Sequence, residues 1–179
     1  MGIEIEKKYR LTAAQREQLI HRLIEAGAIL RVEEFEENVL YRGGNLNPQT
    51  QVLRLRRAGG RAILTYKERF ASASAIKHQR EDETLIEDAG SLHDILRAIG
   101  FTPALVYEKR RATWHIADAE IAIDELPFGL FLEIEAAENS ILELEETLCL
   151  SEAVAEMDSY PELAARHGTK RGEIIEARF

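Results

Sequence analysis

From Ile3 to Leu11 the chain opens by alternation. Ile3 and Ile5 point one way and Glu4, Glu6 and Lys8 the other, the period of a strand. Thr12 and Gln15 stand at capping-box spacing. Leu19, Ile20, Leu23 and Ile24 then make a helical stripe, with Gly27 as its stop. Ile29 to Glu37 and Asn38 to Arg42 read as strands, followed by the turn-rich stretch GGNLNPQ. Val52 to Arg57 and Ala62 to Arg69 form a hairpin around Gly59-Gly60. Ala71 to Ala75, small and polar, is expected as a mobile loop, and Arg80 to Ile86 as a further strand. Ser91 opens a short helix carrying Leu92, Ile95, Leu96 and Ile99, ended by Gly100. Val106 to His115, Glu120 to Glu125 and Leu130 to Ala136 are three more strands. Ser140 with Glu143 caps a helix whose apolar set is Ile141, Leu142, Leu144, Leu148 and Leu150. Pro161 suits a helix start, and the tail from Thr169 is expected as a last helix. The sum is about eight strands with helices between and after them. This is an α+β pattern without the βαβ rhythm of a parallel sheet, in one domain over residues 1–179.

Composition narrows the class. A chain of 179 residues, 45% hydrophobic and 31% charged, has room for a real core and is not disordered. No apolar run is long enough for a membrane helix, and MGIEIEKKYRL puts acids where a signal peptide needs apolar residues. Cys149 is the single cysteine, so no internal disulfide or cysteine cluster forms, and a cytoplasmic setting is expected. The net charge of −9 argues against general nucleic-acid binding. Its distribution says more. Arg54 to Arg69 holds six basic residues and one acid, whereas Ala117 to Glu162 holds fourteen acids and no Lys or Arg. Either the two surfaces are separate, or acids and bases meet at one site around an anion and its metals.

Five strands carry charges two residues apart: Glu4, Glu6 and Lys8; Arg54 and Arg56; Glu81 and Glu83; Lys109 and Arg111; Glu133 and Glu135. Such pairs share a face, and Ile3 and Ile5, Leu53 and Leu55, and Leu132 and Ile134 make apolar opposite faces. Asp124 adds a carboxylate on the strand before the last pair. The ordinary alternative is a sheet with one wet face. Against it, apart from Lys8 each set has one sign, which is unfavourable without opposite charge nearby. If the sheet closes with its charged faces inward, Arg54, Arg56, Lys67, Lys109 and Arg111 can bind several phosphates. Glu4, Glu6, Glu133 and Glu135 can then hold hard cations such as Mg²⁺ or Mn²⁺. The five histidines are scattered without ligand spacing, Ser72 and Ser74 lack a nucleophile elbow, and the paired glycines are turns rather than a P-loop.

Glu4-x-Glu6-x-Lys8 resembles the signature of the CYTH superfamily, the triphosphate tunnel metalloenzymes. LRLR (Leu53 to Arg56), LTYK (Leu64 to Lys67), the stretch Arg80 to Glu83, EKRR (Glu108 to Arg111), AIDELPFG (Ala122 to Gly129) and FLEIE (Phe131 to Glu135) follow in the family's order. Ser159 to Leu163 resembles a late segment of the same family. The resemblance implies a closed eight-stranded antiparallel β-barrel with flanking helices. It implies metal on Glu4, Glu6, Glu133 and Glu135, with Glu83 assisting and Asp124 as a further ligand. Phosphates would lie on Arg54, Arg56, Lys67, Lys109 and Arg111, with Lys8, Lys67 and Lys109 as catalytic cations. One residue of register would turn Arg80 and Asp82 inward in place of Glu81 and Glu83. The expected function is metal-dependent hydrolysis of a triphosphate: inorganic tripolyphosphate, thiamine triphosphate or a nucleoside triphosphate. A class IV-type adenylyl cyclase and a non-catalytic polyphosphate or nucleotide binder are the alternatives. The expected partner is the small-molecule triphosphate, with no nucleic acid and no membrane.

Overall fold

The computed structural model of the chain describes residues 2–70 and 74–179. Its strands are β1 (Gly2–Leu11), β2 (Ile29–Gly43), β3 (Gln51–Ala58), β4 (Arg61–Arg69), β5 (Ile76–Ile86), β6 (Phe101–Ile116), β7 (Ala119–Leu126), β8 (Gly129–Glu135), β9 (Val154–Ala155), β10 (Thr169–Arg171) and β11 (Ile174–Ala177). Its helices are α1 (Ala13–Glu25), α2 (Ala89–Ala98), α3 (Glu138–Thr147) and α4 (Tyr160–His167). Strands β6-β2-β3-β4-β5-β1-β8-β7 pair in that order, and β7 pairs back to β6, so eight strands close into a barrel. Every pairing around the ring is antiparallel. Closure leaves the barrel itself without a free edge.

The barrel is apolar outside and charged inside. Tyr9, Leu11, Ile121, Ile123, Leu132 and Ile134 of the outer face pack against Leu19 and Leu23 of α1 and Ile141 and Leu144 of α3. Val39, Tyr41, Leu55 and Val106 pack against Leu96 of α2. Leu40, Leu105, Tyr107, Leu126 and Phe131 pack against Tyr160, Leu163 and Ala164 of α4. Helix α4 has Pro161 in its first turn, as its sequence predicts, and opens with a capping box between Ser159 and Glu162 that the sequence reading did not mark. Among the described residues no helix is long and apolar enough to cross a membrane.

Several local expectations change. Ile29 to Gly43 is one strand of fifteen residues, not two; a bulge between Leu30 and Val32 and an irregularity between Leu40 and Tyr41 let it bend without ending. The tail from Thr169 is a hairpin, not a helix. Gly172, at φ +62°, makes the turn. Ile174 and Ile175 are β-branched, and β11 runs parallel to β6 at Leu105 to Tyr107, beside the stretch that β7, joining only from Arg110, leaves unpaired. Asp88, not Ser91, caps α2. Helix α3 begins two residues before Ser140, which bonds Asp118 instead of capping. Ile3 and Leu142 are exposed rather than core. The Gly59-Gly60 turn is as read: both residues have positive φ and Ala58 pairs Arg61. Of the expected Ala71 to Ala75 loop, residues 71–73 lie outside the described residues, Ser72 among them.

Candidate active site

The alternation of each strand sends its polar side chains to one cavity of about 390 Å³. Glu4, Glu6 and Lys8 arrive from β1, Arg54 and Arg56 from β3, and Lys67 from β4. Glu81 and Glu83 arrive from β5, Lys109 and Arg111 from β6, and Glu133 and Glu135 from β8. Every candidate named from the sequence lines this cavity except Asp124. The register of β5 puts Glu81 opposite Lys67. Arg80 and Asp82 face away and pair with each other at 2.7 Å.

Asp124 is fully buried behind the cavity wall. It accepts from Arg111 Nε at 2.8 Å, from Arg111 Nη2 at 2.6 Å and from the Tyr160 hydroxyl at 2.7 Å, with Lys109 Nζ at 3.5 Å. Its position braces the cations instead of facing the cavity.

The cations and carboxylates hold one another. Lys67 Nζ lies 2.8 Å from both Glu4 and Glu81. Arg56 meets Glu83 at 3.2 Å, and Lys8 meets Glu133 at 3.2 Å. Arg111 also bonds Glu133. Buried charges of this kind are tolerated when paired.

Two poles carry more charge of one sign than they neutralise. At the first, Glu6 stands opposite Glu135 across β1 and β8, and Glu135 stands opposite Glu120 across β8 and β7. Burial and the neighbouring Glu4 and Glu120 push the Glu135 carboxyl up to about 7. Burial and Glu133 likewise push Glu6 above the usual carboxylate range. At the second pole Glu36 is fully buried between Lys109 at 3.4 Å and Arg56 at 3.7 Å. Burial opposes its ionisation, but Lys109, Arg111, Arg56 and Arg54 together hold it down at about 2. Burial and the adjacent Arg111 push the Lys109 ammonium down.

Among the described residues no three carboxylates or histidines converge into a ready metal cage. The donor chemistry of the first pole nonetheless fits a divalent cation. Its candidate donors are hard carboxylate oxygens, and a cation there would relieve the repulsion that raises Glu6 and Glu135. The second pole fits several phosphate groups: Arg54, Arg56, Lys109 and Arg111 present planar or point-charge donors from two strands.

Sequence reading missed Glu36, Asn38, Gln79, Glu120 and Arg69, of which Gln79, Glu120 and Arg69 line the cavity. Glu36 and Asn38 share the inner face of β2; dividing that strand after Glu37 hid the pair. Gln79, which donates to Glu4 at 2.9 Å, lay before the expected start of β5. The five histidines take packing or surface places: His93 bonds the Tyr41 hydroxyl, and His167 stacks on Phe128.

The fold and the site together define a closed antiparallel barrel with an apolar exterior and an interior of opposed acids and bases. The chain belongs to the CYTH family, whose domain matches residues 2–157. It is 27% identical over 150 residues to a candidate adenylate cyclase of Methanocaldococcus jannaschii, covering 82% of this chain and 83% of that protein. A solved Pyrococcus horikoshii structure superposes with a TM-score of 0.79 at 25% identity, over 89% of this chain and 98% of that one. The fold is also that of a candidate adenylyl cyclase from Hippeastrum, a protein with dominant triphosphatase activity. There the TM-score is 0.68 and the identity 19%, over 94% of this chain and 98% of the other.

Proposed function

We propose that this chain is a divalent-cation-dependent triphosphatase, and that inorganic tripolyphosphate is the substrate its cavity suits best. The observation that carries this reading is the pairing of an acidic pole with a basic pole across one cavity. A cavity of about 390 Å³ lies in the range of small-ligand clefts, roughly 300–1,000 Å³. Its aromatic lining is Tyr107 and Tyr160, both buried, with the Tyr160 hydroxyl committed to Asp124. Neither ring offers a free platform for a purine or a thiamine ring. That favours hydrolysis of a small triphosphate over cyclisation of ATP, which needs adenosine held in line.

Arg54, Arg56 and Arg111 grip the non-bridging oxygens, and Lys8, Lys67 and Lys109 neutralise the charge that builds on the transferred and leaving phosphoryl groups. Asp124 fixes the fork of Arg111 through two hydrogen bonds, so the guanidinium needs little reorganisation as the reaction proceeds. Glu4, Glu6, Glu133 and Glu135, with Glu83 assisting, would hold Mg²⁺ or Mn²⁺, which supplies phosphoryl polarisation and an activated water. The buried walls around Lys8, Lys109 and Glu36 lower the local dielectric and strengthen the contacts made there.

The M. jannaschii relative supports a cyclase as the second reading. One assay separates the two, and a passive binder from both. The protein is incubated with tripolyphosphate, thiamine triphosphate or ATP in Mg²⁺, in Mn²⁺ and in chelator. Orthophosphate released from tripolyphosphate, dependent on metal, is the expected result. Cyclic AMP and pyrophosphate formed in equal amounts, faster than orthophosphate, overturn it in favour of the cyclase. Binding without turnover of any of the three overturns it in favour of a binder.

A further inference from the structure

The segment after residue 157 lies beyond the family match, yet Ser159, Tyr160 and Pro161 line the cavity. The capping box of Ser159 with Glu162 fixes where α4 begins and so aims Tyr160 inward. The ring is wedged edge-on by Phe131 at 5.4 Å and flanked by Tyr107 at 6.4 Å. Its face lies 3.8 Å from Lys8 Nζ and 5.2 Å from Lys109 Nζ, measured to the ring centroid. The same segment wraps the rest of Lys8: Asp158 O accepts from Nζ at 3.3 Å, and Glu156 N donates to the Lys8 carbonyl at 2.9 Å.

We propose that Tyr160 is the positioning residue for Lys8 and Lys109, seating both ammonium groups on its ring face so that they meet the phosphates preformed. This rests on the triphosphatase reading and adds to it the group that sets those cations.

Lys8 and Lys109 come from different strands and are both almost fully buried, and Arg111 adds a third cation beside Lys109. Like charges in such a place splay apart unless something attracts them. Glu133 does so for Lys8, and Glu36 and Asp124 do so for Lys109, but a carboxylate also repels the phosphates. An aromatic face attracts a cation through its quadrupole and adds no net charge. Lys8 also meets Glu133 and Asp158 O, and Lys109 meets Glu36 and Asp124, so a phosphate reaches the ammonium groups by exchanging with these oxygen partners while the ring keeps both seated. The Tyr160 hydroxyl, donating to Asp124, fixes the ring's rotation and ties the seat to the carboxylate that braces Arg111.

Tyr160→Phe and Tyr160→Leu both remove the hydroxyl, so their difference isolates the ring face. A desolvated cation–π contact is strong enough that Tyr160→Leu should lower kcat by at least about tenfold, with KM for tripolyphosphate within about threefold because the arginines still hold it. Tyr160→Phe should keep kcat within about threefold of wild type. Activity is read well below each variant's melting temperature, so that loss of folded protein does not enter. A second readout needs no turnover: ring-current upfield shifts of the Lys8 ε-methylene protons should appear in wild type and Tyr160→Phe and vanish in Tyr160→Leu. Wild-type kcat in Tyr160→Leu, equal loss in both variants, or Lys8 shifts that survive in Tyr160→Leu would each overturn the assignment. If wild type does not turn over any triphosphate, the functional reading fails, and the Lys8 shifts alone decide whether Tyr160 seats the ammonium.

Discussion

Glu36→Gln tests the electrostatics of the basic pole directly. The change keeps the shape of the side chain and removes its charge, in a place with no solvent exposure and with Arg54, Arg56, Lys109 and Arg111 around it. The four cations pull the carboxyl from 4.5 down to about 2. That difference of about 2.5 units, at about 1.36 kcal/mol each, means the ionised form contributes about 3 kcal/mol to folding at pH 7. The folded pKa is depressed, so this contribution is complete above the unfolded value near 4.5 and is lost as pH falls toward 2. Integrating the same two values leaves roughly half of it or less at pH 3. Glutamine has no such titration. Urea unfolding followed by circular dichroism should therefore show Glu36→Gln about 3 kcal/mol less stable at pH 7, with the gap roughly halved at pH 3. Tripolyphosphate should stabilise the variant more than the wild type, because the anion supplies the charge that Glu36 no longer does. A gap that does not change with pH, or a variant as stable as wild type at pH 7, would show that Glu36 does not balance these cations.

Three further outcomes follow from the same geometry. Chelator should abolish tripolyphosphate turnover and added Mg²⁺ or Mn²⁺ should restore it; full turnover in metal-free buffer rules out the role given to Glu4, Glu6, Glu133 and Glu135. Glu133→Gln should stop turnover while its far-UV spectrum stays that of wild type, since the change keeps the side chain's shape and removes one ligand charge; wild-type rate at saturating metal would refute that role. Arg56→Ala should weaken tripolyphosphate binding about tenfold to hundredfold, the value of one charge-assisted hydrogen bond of roughly 1.5–3 kcal/mol, and weaken Mn²⁺ binding far less. Calorimetry with each ligand separates the two effects, and unchanged anion affinity would remove Arg56 from the phosphate site.

Period-two alternation put Glu4 with Glu6, Arg54 with Arg56 and Glu133 with Glu135 on shared faces. That the sheet closes with those faces inward, and that Lys67 joins them, came from the family resemblance, and one residue of register left Glu81 and Glu83 open. Strand continuity was less legible. A bulge is one residue of mismatch, so β2 looked like two strands and its buried Glu36 went unseen. The final hairpin could not be read locally, because β11 is a strand only where β6 offers it an edge. Asp124 was expected in the lumen as a further metal ligand; it lies behind Arg111 instead, and alternation cannot tell a side chain facing the cavity from one held behind another.

The net charge of −9 and a polyanion site are compatible because the field that matters is local. The acids that outnumber the bases lie partly on α3, whose Ile141 and Leu144 stripe turns its charged face outward. Inside, cations and carboxylates are interleaved and paired: Lys67 with Glu4 and Glu81, Arg56 with Glu83, Lys8 with Glu133. Buried ion pairs of this sort add little net stability, since desolvation offsets most of their attraction. The fold is held instead by the apolar exterior under α1, α2 and α3 and by α4 against the inner-face residues it covers. That division leaves the lumen free to exchange partners. On the triphosphatase reading proposed above, a triphosphate would take the cations and a divalent ion the carboxylates, each releasing the groups the other needs, while the contacts of α1, α2 and α3 on the barrel's exterior stay in place.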